Sequence, residues 1–481
     1  MPGQAIALDV PRMTERIAAS LSATGSRFTD LGQFHDWWRG VGTSARAERI
    51  PLDRLRGWVQ DAGTGDIRHE SGKFFSVQGL DVHSPDGLVP NWQQPIIDQP
   101  ETGILGILVK EFDGVLHCLM QAKAEPGNAN GVQISPTVQA TRSNFTRVHG
   151  GSAVPYLTYF QDTAPHRVLA DVRQSEQGSW FYRKRNRNMI VEVTGDVEEL
   201  DGFCWLTLGQ LYRLLAEEDM VNMDTRTVLS CLPASGAGAE DDYAGTGRSA
   251  HAADFRASVA RSLAHGTGDG PDTAATLSWI TDARSRTQLT TRRVPLDRVR
   301  GWRRAEGLIA HESGGFFDVI GVEVTAVGRE VRRWTQPMIR PHGIGVIAFL
   351  VREFDGVLHA LVRQRTEPGF VDVTELGPTV QCTPENYGLI AAEPPAFLDE
   401  VLRAAPGRIR YDTLLSEEGG RFHHALNRYL IVESDVDVPA DDPDFRWVSL
   451  GQLTALLRHS SYVNVQARSL TACLTGCLVT V

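Results

Sequence analysis

The chain is written twice, and that repeat restricts its fold more than any other feature. PLDRLRGW at 51–58 returns as PLDRVRGW at 295–302, and EFDGVLHCLMQAKAEPG at 111–127 returns as EFDGVLHALVRQRTEPG at 353–369, identical at 11 of 17 positions. ISPTVQATRSNF (134–145) pairs with LGPTVQCTPENY (376–387), SEQGSWFYRKRNRNMIVE (175–192) with SEEGGRFHHALNRYLIVE (416–433), and WLTLGQLYRLL (205–215) with WVSLGQLTALL (447–457). The offset stays between 241 and 244 residues, so the unit is a duplicated domain and not a short solenoid repeat. Trp37/Trp279, Trp58/Trp302, Trp92/Trp334 and Trp205/Trp447 keep the same spacing. The stretch PASGAGAEDDYAGTGRSAHA (233–252) is small and polar, as linkers are. The 481 residues therefore divide into a first copy at 1–232, a linker at 233–252 and a second copy at 253–481.

Within each copy the pattern is mixed. Thr29-Asp30 precedes a short helix carrying Phe34, Trp37 and Trp38 on one face. Residues 104–109 and 115–122 read as strands joined by the turn signal Asp113-Gly114, and 189–193 as a further strand. Leu208, Leu211, Leu214 and Leu215 have helical spacing, and Asp224 is the expected cap of a closing helix through Leu232. Helices do not alternate regularly with strands, so the expected class is α+β.

Several functions drop out. A net charge of −11 makes a poor general binder of nucleic acid or anionic membrane. No GxGxxG or GxxxxGK[ST] marks a dinucleotide or P-loop site, no GxSxG elbow appears, and His69-Glu70 lacks the second histidine of a zinc helix. Six cysteines lie without metal spacing, and the apolar run 104–109 is too short to span a bilayer. The expectation is a cytoplasmic protein that works without cofactor or metal.

Polar residues concentrate at 121–145, where Gln121, Lys123, Glu125, Gln133, Thr137, Gln139, Arg142 and Asn144 suit the hydroxyl groups of a sugar. The same pattern suits a solvated face or a buried polar network. The run Trp180 to Asn188 interleaves Arg183, Lys184, Arg185 and Arg187 with aromatics and amides, which suits a diphosphate and a stacked base. It also reads as a solvated basic hairpin. In the second copy most of this charge is gone, so the first copy is the better anion site. Lysine is scarce, four residues against 44 arginines, and Lys123 is replaced by Arg365 in the second copy. Lysine can be tuned to exchange protons whereas arginine cannot, although chance retention explains a lone lysine equally well. His117 and His359 hold matching positions, for which a structural role is the simpler reading.

The runs FHDWWRG (34–40), ILGILVKEFDGVLHCLMQAKAEPGNANGVQISPTVQATRSNFTRVHGG (104–151), QSEQGSWFYRKRNRN (174–188) and VNMDTRTVLSCLP (221–233) resemble the NDP-hexose 2,3-dehydratase family of deoxysugar pathways. The resemblance implies tandem Nudix-like α+β domains, here without the Nudix metal box, and removal of C3–H and C2–OH from dTDP-4-keto-6-deoxy-D-glucose. Within those regions our own assignment gives Lys123 the acid–base role, with Glu125 and Tyr156 as candidate partners. Gln121, Gln133, Thr137, Gln139 and Asn144 would hold the sugar. Trp92, Arg142, Trp180, Arg183, Arg185, Arg187 and Asn188 would hold the nucleotide. A second pocket would use Trp334, Arg363, Arg365, Glu375 and Thr379, together with Gln381, Asn386, Arg421 and Arg428. A homodimer and a 3-ketoreductase that consumes the labile product are the expected partners. A Nudix-type nucleotide-sugar hydrolase and a non-catalytic sugar-nucleotide binder are the alternatives.

Overall fold

The computed structural model describes residues 10–141, 143, 153–233, 250–265, 271–327 and 331–480. Helix starts follow their capping chemistry. Asp30 accepts from Gln33 N ahead of helix Leu31–Gly40. Thr207 and Gln210 form a reciprocal capping box at Leu208–Leu214, and Ser449 and Gln452 repeat it at Leu450–Leu456. The closing helix differs from expectation. Asn222, not Asp224, caps Met223–Leu229 by accepting from Thr225 N, so Asp224 sits inside the first turn.

Each half builds one seven-stranded mixed sheet. In the first, strand Ile104–Phe112 pairs antiparallel with Val115–Ala124 through the Asp113-Gly114 turn, where both residues have positive φ, and parallel with Arg185–Val193. Arg167–Ser175, Phe203–Thr207, Val132–Ser135 and Val138–Ala140 complete it. The second half repeats the arrangement around Gly345–Phe354, Val357–Thr366 and Leu426–Glu433.

The two five-stranded sheets are built differently from what self-comparison of the sequence suggests. Each takes four strands from one half and one from the other. Ser44–Ile50 of the first half pairs with Phe317–Val327 of the second, and Thr290–Val294 of the second pairs with Ser76–His83 of the first. Gly79 and Gly321 lie where the exchanged strands arrive: a Cβ at Gly79 would stand 2.7 Å from the Val294 carbonyl oxygen, and one at Gly321 would stand 2.7 Å from that of Ile50. The halves also share one core. Helix Val465–Thr480 is buried on every side and packs on Leu208–Leu214 and Met223–Leu229 of the first half. Residues 234–249 of the expected linker lie outside the described residues, and helix Ala250–Ala264 begins within its end.

A second seam explains the repeated Glu-Pro-Gly. Gly127 N donates to the Gly419 carbonyl at 2.7 Å and Gly369 N to that of Gly178 at 2.7 Å, while His424 N and Arg183 N donate back to Gly127 and Gly369 at 2.8 Å. A Cβ on Gly127 would lie 1.8 Å from the Phe422 carbonyl oxygen. Gly127→Ala is therefore expected to destabilise the fold by about 1–3 kcal/mol, as overpacked sites do. Gly40→Ala, with nothing within 4 Å of the added carbon, serves as the control. Denaturant midpoints check this, and equal midpoints for the two variants would remove the seam as a source of stability.

Candidate active site at the seam between the halves

Two cavities of about 610 and 600 Å³ lie at matching places in the two halves. Both are composite. The first takes Lys123, Glu125, Gln139, Glu176, Lys184 and Asp224 from the first half, and Trp334, Gln336, Glu418 and Arg421 from the second. The second takes Arg365, Glu367, Gln381 and Gln466 from the second half, and Trp92, Gln94, Gln177 and Trp180 from the first. The crossing arises because the loop after each half's Ser175 or Ser416 strand, pinned by the Gly127 and Gly369 seam, reaches into the other half's cavity.

The shared frame is the Glu-Pro-Gly strand end. Lys123 Nζ lies 3.4 Å from Glu125 Oε1 and 3.4 Å from the Gln139 carbonyl, and Gln139 Nε2 donates to Glu125 Oε1 at 3.1 Å. The second cavity repeats it: Arg365 Nε donates to Glu367 Oε1 at 3.0 Å, and Gln381 Nε2 to the same oxygen at 3.1 Å. Ser135 and Asn222 donate to Gln139 Oε1 at 2.9 and 3.3 Å, which fixes the amide.

Beyond this frame the cavities diverge in charge. Glu417 of the second half is saturated. Asn427 and Tyr429 donate to its Oε1 at 2.6 and 2.7 Å, and Gln177 and Gln466 to its Oε2 at 2.7 and 3.5 Å. Its counterpart Glu176 keeps only the amide equivalent, Asn186 Nδ2 at 2.7 Å. The three other donors are replaced by Asn188, Glu418 and Asp224. Glu176 Oε2, Asp224 Oδ1 and Glu418 Oε2 are each buried without a hydrogen-bond partner. Three carboxyl groups thus face one cavity where the mirror site has one acid and two amides.

Burial and mutual repulsion raise the proton affinity of all three groups. Burial first, then the negative charges of Glu176, Glu418 and Glu125, push Asp224 well above the usual carboxylate range. Burial, and Glu125 beside it, push Glu418 up to about 7. Burial also raises Glu176, opposed by Arg468 and Lys184. Lys184, whose Nζ donates to the Glu101 carbonyl, is lowered to about 8 by burial. Arg421 lies 4.3 Å from the Phe75 ring centroid and donates to Gln99 Oε1 at 3.2 Å. Trp334 Nε1 is held by Gln336 Oε1 at 2.8 Å, and Gln336 donates to the Gly420 carbonyl at 2.6 Å.

Of the expected residues, Lys123, Glu125 and Gln139 meet in the first cavity. Trp92 and Trp180 line the second cavity instead, while Trp334 and Arg421, expected in the second, line the first. Tyr156 is elsewhere: its hydroxyl donates to the Glu198 carbonyl and accepts from Leu200 N. Arg183 is exposed, Arg185 stands beside Arg173, and Arg187 is doubly bonded to Asp171, so the three arginines form no clamp on the cavity. Around Arg185–Val193 alternation turns Lys184 and Asn186 to the cavity and the arginines away. Gln121 lines neither cavity, and Asn188 donates to Thr227 Oγ1. Gln133 ties the halves together through Asp219 and Ser416. Thr137 and Thr379 donate to the Leu119 and Leu361 carbonyls, staples present in both halves.

Arg365, Gln381 and Asn386 do line the second cavity. Arg363 instead stacks on Phe445, Arg428 pairs with Asp412, and Glu375 accepts from Ser175 Oγ. Arg142 and Asn144 lie outside the described residues. His117 is held by the Val115 carbonyl, as a structural histidine is. Sequence reasoning missed Glu176, Asp224 and Glu418 as site residues, and it placed Lys184 only in the basic run suited to a diphosphate. Comparison of duplicate columns marks three of these positions, where Lys184 faces Ala425, Asp224 faces Gln466 and Glu418 faces Gln177, while Glu176 faces the identical Glu417 and carries no such signal.

Fold and site define a duplicated α+β protein whose first cavity is furnished for proton transfer on a polar small molecule. The chain belongs to the NDP-hexose 2,3-dehydratase family, which it matches over residues 31–232 and again over 273–474. It is 51% identical over 465 residues to the dTDP-4-dehydro-6-deoxy-α-D-glucopyranose 2,3-dehydratase of Saccharopolyspora spinosa, covering 96% of this chain and 94% of that one. It is 50% identical to the protein so named from Amycolatopsis orientalis (89% and 86% covered) and 49% identical to that from Streptomyces violaceoruber (93% and 97% covered). Among the described residues no helix is long and apolar enough to cross a membrane.

Proposed function

We propose that the protein removes water across C2 and C3 of dTDP-4-keto-6-deoxy-D-glucose, giving the 3,4-diketo-2,6-dideoxy sugar nucleotide. The carrying observation is the cluster of Glu176, Asp224 and Glu418, each with a buried unpaired oxygen, which line one cavity together with Lys123 and Lys184. The C4 ketone acidifies the C3 hydrogen. Glu418, balanced near neutrality, takes that proton, and the electron pair moves onto the C4 oxygen. The ammonium groups of Lys123 and Lys184 stabilise the enolate charge. Asp224, held protonated by its surroundings, gives its proton to the departing C2 hydroxyl. The pair returns from oxygen to restore the C4 carbonyl and forms the C2–C3 double bond. The resulting C3 enol becomes a ketone on protonation at C2, so the sum is loss of one water without redox change. Arg421 and the aromatic wall of Trp58, Phe75 and Trp334 suit the diphosphate and base.

The second cavity keeps the Arg365–Glu367–Gln381 frame but has Gln466, Gln177 and Ala425 in place of the ionisable groups, which suits binding a sugar nucleotide without turnover. We read each half as a Nudix-like unit lacking the metal box, and the protein as a cytoplasmic homodimer coupled to a 3-ketoreductase. The test incubates protein with the 4-keto sugar nucleotide and traps product with such a reductase. Loss of the C2 oxygen supports dehydration, release of nucleoside monophosphate supports a hydrolase, and intact substrate supports a binder. The same assay predicts a bell-shaped kcat/KM. Activity rises as Glu418 loses its proton near about 7 and falls as Lys184 loses its proton near about 8. Glu418→Gln should erase the acidic limb and Lys184→Met the basic one; limbs that persist would reassign both groups.

A further inference from the structure

Two arginines sit fully buried at matching positions, Arg226 in helix Met223–Leu229 and Arg468 in helix Val465–Thr480. Each holds its own helix approach and then reaches into the other half. Arg226 donates to the Val221 carbonyl at 2.7 Å, to Ser469 Oγ at 3.3 Å and to the Ser416 carbonyl at 2.6 Å. Arg468 donates to the Val463 carbonyl at 2.7 Å, to Thr227 Oγ1 at 2.5 Å and to the Ser175 carbonyl at 2.5 Å. Ser416 and Ser175 immediately precede Glu417 and Glu176. The two forks are mirror images in geometry, but their targets differ. Glu417 has four side-chain donors and needs no further cation. Glu176 has one side-chain donor and a buried unpaired oxygen, and it lines the ionisable cavity.

We propose that Arg468, from the C-terminal helix of the second half, is a positioning residue for the first half's site: its fork fixes the Ser175–Glu176 backbone and sets its charge against the carboxylate that neighbours Lys184. This rests on the dehydratase reading above. An unpaired charge in a helix buried on every side costs several kcal/mol, and at Arg468 the acidic groups Glu176, Glu375 and Asp224 offset it. The groups that face Glu176 are Lys184 and Asn186 from its own sheet, Asp224 from the Met223–Leu229 helix, Glu417 and Glu418 from the second half's loop, and Arg468. Glu375, whose Oε2 accepts from Ser175 Oγ at 2.6 Å, lies within the field of the same guanidinium.

The sign follows from these neighbours. Without the Arg468 charge, Glu176 takes up a proton more readily, and its negative charge no longer supports the Lys184 ammonium. The basic limb of the pH–activity profile therefore moves to lower pH. Arg468→Met in the full-length chain is expected to shift that limb down by about one pH unit and lower kcat more than it raises KM. Arg226→Met, which cuts the mirror fork, should lower the melting temperature to a similar extent and leave the limb in place. A limb unmoved in Arg468→Met, or moved equally in both variants, overturns the proposal. If either arginine variant fails to fold, Thr227→Val and Ser469→Ala each remove one partner of a fork and replace them. Thr227→Val must then shift the limb down by a smaller amount than full removal of the charge, and Ser469→Ala must not; any other result overturns the proposal. Absence of dehydration by the unaltered protein would instead overturn the reading of the reaction.

Discussion

Asp224→Asn is expected to lower kcat by ~10²–10⁴-fold, the usual contribution of one positioned acid or base. Burial, then the charges of Glu176, Glu418 and Glu125, push this carboxyl well above the usual carboxylate range, so it can hold and give a proton where an amide cannot. The substitution is nearly isosteric and removes a titratable group from a crowd of like charges, so the fold should be unharmed or slightly more stable. Gln466→Asn, the matching position of the second cavity, should leave kcat within about threefold, within the range of a change remote from the chemistry. Steady-state turnover with the product trapped, and denaturation of both variants, checks this. Normal turnover by Asp224→Asn would move the acid elsewhere, with Glu176 the first candidate.

The second large effect concerns the halves as separate chains. Residues 1–249 and 250–481 expressed alone are expected to be insoluble or molten. Each would lack one strand of its own five-stranded sheet, since Ser44–Ile50 pairs with the second half and Thr290–Val294 with the first. The first half would also lose the cover of Val465–Thr480 over its helices, exposing a large apolar face. Co-expression should restore a soluble complex with activity. Cooperative unfolding of either half alone, followed by circular dichroism, would show that the exchanged strands are dispensable.

Much of this was legible in the sequence where one residue's chemistry settles local structure. Asp30 as a cap, Asp113-Gly114 as a turn and the α+β class all follow from local rules, and duplication follows from identity at fixed spacing. The cluster Lys123, Glu125 and Gln139 could be found because neighbouring strands of one sheet end together. What could not be read is which half a strand joins. Ser44–Ile50 carries the same pattern whichever sheet edge receives it, and pairing partners hundreds of residues away leave no local mark. The same gap sent Trp92 and Trp180 to the wrong cavity, since each half's site was assembled from its own residues. The basic run failed for a simpler reason. Alternation in a strand splits neighbours between two faces, and the arginines at 183, 185 and 187 share the face that the cavity does not use. Scarce lysine is a sound hint: Lys123 and Lys184 line one cavity, although the sequence suggests acid–base work only for the first and a diphosphate contact for the second.

The exchange of loops bears on how such a gene can change. After most duplications one copy is free to drift, because the other still performs the task. Here that release is withheld: Trp334, Glu418 and Arg421 are encoded in the copy with the less ionisable cavity, yet they wall the other one. With the proposed reaction in the first cavity, the second copy could lose ionisable groups at Gln466 and Ala425 but could not be deleted, because its loop at 418–421 walls that cavity. Redundancy has become mutual dependence, and a harmful change in either copy cannot be rescued by the other.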